Sequence, residues 1–178
     1  MNESKIKKSL SFSEKEINLI ISKPKNYKLV STHIIKNLTK SGKKGIYVTL
    51  NKNYDDIVAN FTKQGIDLTK LFFIDATKSS KKRDNCIPVP SPEALTELSI
   101  TIITMINTEK FDFLFFDSLN SVLAYNDFEV TKRFSHYIIS KVKSKKITAI
   151  ILSNEEKFTK NSFSVLCQSY DKCIDTRK

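Results

Sequence analysis

Residues 17–38 read INLIISKPKNYKLVSTHIIKNL, and their order of apolar and polar positions sets the reading of the whole chain. Residues 17–21 are a short continuous apolar run, as expected of a strand buried on both faces. Val30, Ile34, Ile35 and Leu38 then recur at helical spacing, and Gly42 follows as a stop signal. The eight residues between, 22–29, stand where many α/β proteins carry a phosphate-binding loop of the form G-x-x-x-x-G-K-[ST]. In that loop the glycines let backbone N–H groups close on phosphates, the lysine reaches the outer phosphates and the hydroxyl holds magnesium. Here the positions are Ser22, Lys23, Pro24, Lys25, Asn26, Tyr27, Lys28 and Leu29, so only the lysine, Lys28, matches. Pro24 removes a backbone donor, Tyr27 places a ring where the chain usually turns with positive φ, and Leu29 offers no metal ligand. The expectation is strand, loop and helix, with the loop's chemistry altered.

The same alternation continues outward. Strands are predicted over 46–50, 71–76, 111–117 and 147–152, with a short closing strand over 173–175. Helices are predicted from about Tyr54 (Ile57, Val58 and Phe61 inward, Gly65 closing), from the start signal Ser91-Pro92-Glu93, and from Asn126 or Asp127. A last one carries Phe163, Leu166, Cys167 and Tyr170. Residues 77–90 read as the longest loop and 118–125 as a further connection. Residues 1–16, with Leu10 and Phe12 as bulky anchors, read as an arm or capping helix ahead of one domain over 17–178. Buried strands alternating with amphipathic helices predict an α/β fold: a mostly parallel central sheet with helices on both faces.

Composition narrows the function classes. No apolar run approaches the ~18 residues of a membrane span, and residues 1–16 lack the apolar segment of a secretion signal. The expectation is a cytoplasmic protein without membrane partners. Cys86, Cys167 and Cys173 have no CxxC spacing, so neither a disulfide framework nor a zinc site is suggested. His33 and His136 lack nearby ligands in sequence, and no metal site is expected. Cys86 falls in the long loop and is expected to be exposed. The net charge of +11 leaves nucleic acid as a partner through a basic surface, although no basic cluster is interleaved with aromatic residues.

In this order and spacing, several phrases resemble the RecA-like ATPases, and within them the KaiC-like branch found in archaeal proteins proposed to act in signal transduction. They are SKPKNYKL at the phosphate-loop position, IYVTLN, GIDLTKLFFID, the Walker-B-like FLFFDSLNSVLAYND, and KRFSHYIISKVKSKKITAIILS. The resemblance covers roughly Glu16 to the end of the chain and implies a three-layer P-loop-NTPase-type sandwich. Where such ATPases typically end the second strand in a glutamate that polarises the attacking water, this chain has Asn51 followed by Lys52, and an amide cannot act as a general base. Of the expected groups, Lys28 is retained to meet a phosphate, and Asp117 with Ser118 to orient a metal-bound water.

The expected role is therefore a non-catalytic, pseudo-ATPase module for regulation or protein interaction, with a protein partner or self-association. No catalytic residue and no obligatory cofactor is assigned. A rival reading keeps ATP and magnesium, bound weakly through Lys28 and Asp117, with a base from Glu155, Glu156 or a partner subunit. A third is nucleic-acid binding through the basic surface. Any anion is expected near Lys23, Lys25, Asn26 and Lys28, at a helix N-terminus. Asp75, at a strand end, is read as a cap for the following turn, and for Asp117 the capping and metal-related roles both stay open.

Overall fold

A computed structural model describes residues 10–78, 81–108, 110–154 and 160–177. Seven strands form one sheet, all parallel: β1 (Ile17–Ser22), β2 (Gly45–Thr49), β3 (Leu71–Asp75), β4 (Cys86–Pro88), β5 (Phe113–Asp117), β6 (Thr148–Asn154) and β7 (Lys172–Asp175). Their spatial order is β4-β3-β2-β5-β6-β1-β7. The helices are α1 (Pro24–Lys40), α2 (Tyr54–Lys63), α3 (Leu95–Thr108), α4 (Leu119–Tyr125), α5 (Phe128–Ser144) and α6 (Lys160–Cys167).

Strand side chains alternate between two cores, as the twofold period of a strand demands. Ile20, Tyr47, Phe113, Phe115 and Ile150 face α1 and α2, where they meet Val30, Ile34, Ile35, Ile57 and Phe61. Leu19, Ile46, Val48, Leu114, Phe116 and Ile151 face the other way, onto Leu98 and Ile102 of α3, Val122 of α4, Phe134 and Ile138 of α5, and Leu166 of α6. Both faces of the sheet are covered, which is why the strands read as unbroken apolar runs. Leu10 is buried in the first of these cores with Phe12 against it. No helix among the described residues is long and apolar enough to cross a membrane.

Several boundaries differ from the sequence reading. No loop separates β1 from α1: β1 runs through Ser22, Lys23 is the N-cap, and Pro24 opens the helix, so six of the eight phosphate-loop positions, 24–29, are helical. Proline at the first helical position, with no glycine to break the run, favours this direct junction. Residues 118–125 hold the short helix α4, and the long loop holds edge strand β4. Cys86 lies in β4 and is buried, not exposed; burial pushes its thiol up to about 11, with Asp75 adding and Arg83 opposing. Ser91-Pro92-Glu93 forms a turn, with the Glu93 N–H donating to Ser91 Oγ at 3.3 Å, and the helix begins at Leu95. Residues 10–16 contain a turn and no helix, while 1–9 lie outside the described residues, as do Glu155, Glu156 and the side chain of Phe163. Tyr170 falls beyond α6, although its ring is buried and its hydroxyl meets Ser135 Oγ at 2.7 Å.

Candidate functional site

Parallel strands end together, and here β1, β2, β5 and β6 bring Ser22, Thr49, Asp117 and Asn154 to one end of the sheet. In open α/β sheets this is the end where ligands bind. Asp117 shares the parity of Phe113 and Phe115, so its carboxylate turns toward α1 and is 4% exposed. Tyr27, in the first turn of α1, donates its hydroxyl to Asp117 Oδ1. Tyr47, from the middle of β2, donates to Oδ2 at 2.5 Å. Each carboxylate oxygen thus carries a charge-assisted hydrogen bond from a phenol.

Packing fixes these phenols. Tyr47 stacks on Phe115 with ring centroids 5.1 Å apart and meets Phe61 edge-on at 5.5 Å. Burial drives the Asp117 carboxyl above the usual carboxylate range; the bonds from Tyr27 and Tyr47, the Lys52 charge and Asn51 pull the other way. Tyr27 and Tyr47 are both raised well above the ordinary phenol value, first by burial and then by the Asp117 charge. Both phenols are therefore held neutral, as donors to the carboxylate.

A second network lies beside the first and carries no formal charge. Asn51 Nδ2 donates to Ser118 Oγ at 3.1 Å, and Ser121 Oγ donates to Asn51 Oδ1 at 2.6 Å. Asn120 Oδ1 accepts from Ser153 Oγ and from the Asn154 N–H, both at 2.6 Å. Asn51 and Ser118, singled out separately in the sequence, are therefore joined. The peptide between Asp117 and Ser118 is cis.

Of the anion candidates, Lys28 lines a cleft of about 290 Å³ together with Tyr27, Tyr47, Lys52 and Asp117. It also borders a groove of about 380 Å³ between α1 and α2, with Thr32, His33, Lys36 and Asn60. Lys23, Lys25 and Asn26 line neither space. Lys25 is exposed, and the Asn26 N–H donates to the Lys23 carbonyl at 2.9 Å. Asp75 acts as a cap: it accepts the N–H groups of Tyr54 and Thr77 at 2.9 and 2.8 Å and the Thr77 hydroxyl at 2.6 Å. Among the described residues, no three His, Cys, Asp or Glu side chains cluster as metal ligands.

A family model described as ATPase: KaiC matches residues 14–170. The chain belongs to the KaiC ATPase family. No curated protein matches it. In KaiC terms, the matched span takes in every strand of the sheet except β7, and with them Tyr27, Tyr47, Asn51 and Asp117. Sequence reading of this KaiC-type chain picked out Asp117 and Asn51 but not Tyr47, Asn120 or Asn154. The register that pairs Tyr47 with Phe115 places it on the same face as Phe113, Phe115 and Asp117, and that register is not written in the sequence.

Proposed function

We propose that this KaiC-type chain is a non-catalytic module that works by contacting other proteins or regulating them in signal transduction. The observation that carries the reading is the Tyr27 phenol on the carboxylate of Asp117, with Tyr47 on its other oxygen. A magnesium-bound nucleotide would need that carboxylate free toward the cleft, and freeing it strips a buried acid of hydrogen bonds, at a cost of about 1–3 kcal/mol each. Position 29 supplies leucine in place of a hydroxyl, and Asn51 holds an amide between two serines where a base is needed. These residues do not fit a magnesium-bound nucleotide.

The test is magnesium-dependent phosphate release from ATP by the purified chain, with Asp117→Asn as its control. Turnover at background in both proteins is the expected result; turnover abolished by Asp117→Asn would overturn the reading.

One observation favours a second reading. The cleft beside Asp117 is lined by Lys28 and Lys52, with Asp56 as a second carboxylate, and the two lysines offer contacts to a small anion or a nucleotide phosphate held without catalysis. Binding there should be weak and salt-sensitive. Titration of a labelled nucleotide at low salt, repeated on Lys28→Ala, separates the readings: loss of binding in the variant favours the second, and no binding in either protein favours the first.

A further inference from the structure

The end of the sheet where the strands begin, opposite the Asp117 site, carries a row of lysines set there by the topology. Lys15 precedes β1, Lys44 β2, Lys70 β3, Lys110 β5 and Lys145 β6, while Lys172 is the first residue of β7. These six strands are contiguous in the order β3-β2-β5-β6-β1-β7. They also start nearly level: Gly45 pairs with both Leu71 and Phe113, Phe113 with Thr148, and Ile17 with Ala149. At a strand spacing of about 4.8 Å, the row is about 24 Å long.

The carboxylates at this end are largely turned to other work. Asp112 accepts the Lys44 backbone N–H at 2.8 Å and Glu16 accepts the Ser13 N–H at 3.0 Å. Asp67 caps Thr69, and Asp171 takes the Ile17 N–H and the Lys143 ammonium. Glu14 pairs with Lys43 at 3.4 Å. Lys15, Lys44, Lys110 and Lys145 are exposed, and among the described residues none has a carboxylate within ion-pair distance. Lysines near helix C-termini complement the helix dipole, which accounts for Lys110, two residues past α3, and for Lys145 at the end of α5, but not for Lys15.

We propose that this edge docks the phosphate backbone of double-stranded nucleic acid without reading its sequence. A row of cations about 24 Å long spans roughly seven base pairs at about 3.4 Å each. Among the described residues, the exposed large apolar side chains, Ile100, Tyr125, Tyr137 and Val165, lie on α3 to α6 and not in this row, and the half-buried ring of Phe111, beside Lys110, packs against Phe72. A membrane-inserting surface would need such side chains beside its lysines, and a single-strand groove would need aromatic rings for bases to stack on. Charge in a line, with neither, suits a duplex backbone. The inference stands apart from the proposed function, since it uses the opposite end of the sheet and no residue of the Asp117 site.

The experiment measures anisotropy of a labelled duplex of about 20 base pairs from 50 to 200 mM salt. Contact with about five phosphates gives a slope of log K against log salt near −4.5. The pair Lys44→Glu with Lys145→Glu should weaken binding more than about tenfold, and Lys44→Gln with Lys145→Gln should cut the slope by about two. Arg83, which pairs with Asp55 in the first turn of α2 and donates to the Lys81 carbonyl, places Lys81 and Lys82 beside the other end of the sheet, and the pair Lys81→Glu with Lys82→Glu, the same charge change, should weaken binding less than about threefold. Circular dichroism melts show that each variant folds, and the glutamine pair serves if the glutamate pair does not. Equal loss in both glutamate pairs, an unchanged slope, tighter binding to the matching single strand, or binding to phosphatidylserine vesicles but not to duplex would each overturn the proposal.

Discussion

The phenol of Tyr27, at the start of α1, donates to the carboxylate of Asp117, at the end of β5 and 90 positions away in sequence. That bond, with its counterpart from Tyr47, joins the first helix to the centre of the sheet. Tyr27→Phe leaves the ring in place and removes one donor from a buried carboxylate. It should cost about 1–3 kcal/mol in urea unfolding at neutral pH, as should Tyr47→Phe. Because both phenols serve one carboxylate, the double variant should depart from the sum of the singles by more than about 0.5 kcal/mol. Additive losses would mean that the two bonds are not one network.

The pH dependence of stability gives a second handle on Asp117. Burial raises its carboxyl above the ordinary value of 3.8, and the groups facing it, Tyr27, Tyr47, Lys52 and Asn51, oppose that rise. An acid whose folded value is raised binds its proton more tightly in the folded chain. Its contribution is therefore fully present below the unfolded value and is lost as pH rises through the folded one. Asp67 and Asp171 are lowered and act with the opposite sign, so the comparison must isolate Asp117. The stability of the parent chain minus that of Asp117→Asn should fall as pH rises from about 4 toward neutrality. Urea midpoints at a series of pH values measure it, and a difference that rises with pH would show that hydrogen bonding, not burial, governs this carboxyl.

The architecture was legible because burial on both faces writes continuous apolar strands and because helix faces repeat at i, i+3 and i+4. Ile17, Val48, Ile74, Phe115 and Ile151 all announced themselves in that way. The β1–α1 junction did not. A phosphate-loop template implies a loop, whereas Pro24 and the lack of glycine allow a helix to begin two residues after the strand, and only the three-dimensional path shows that Tyr27 then points at Asp117. Strand β4 was hidden because Cys-Ile-Pro carries no period and pairs along one side only. Tyr47 was read as one more apolar strand residue because a phenol's partner is a tertiary fact.

Asp75 offers a sharp contrast with Asp117, since its contacts are those of a cap. Its carboxylate is 1% exposed and accepts the Tyr54 N–H that opens α2, along with the backbone N–H and hydroxyl of Thr77. Asp75→Ala strands these donors and should lower stability by about 2–4 kcal/mol, while Asp75→Asn, which keeps an acceptor oxygen, should lose less. Guanidinium unfolding of the two variants checks the order, and an alanine variant as stable as the parent would mean that water replaces the carboxylate at no cost.

Gly45, the first residue of β2, is held by contact rather than by backbone conformation. A Cβ built there would stand 2.2 Å from the Cε2 and Cζ atoms of Phe113, its register partner on β5. Phe113 is fully buried in the core under α1 and α2, so its ring has little room to retreat. Gly45→Ala should therefore cost about 1–3 kcal/mol through overpacking. Phe113→Leu alone should also destabilise, by leaving space in the same core. Combined, the added methyl occupies part of the space that the ring vacates. The double variant should be more stable than the sum of the single losses predicts, by at least about 0.5 kcal/mol. A double-mutant cycle in urea measures that coupling. A cycle that closes at zero would mean that the ring and the glycine do not touch, and would shift the cause of any Gly45→Ala loss to the strand backbone.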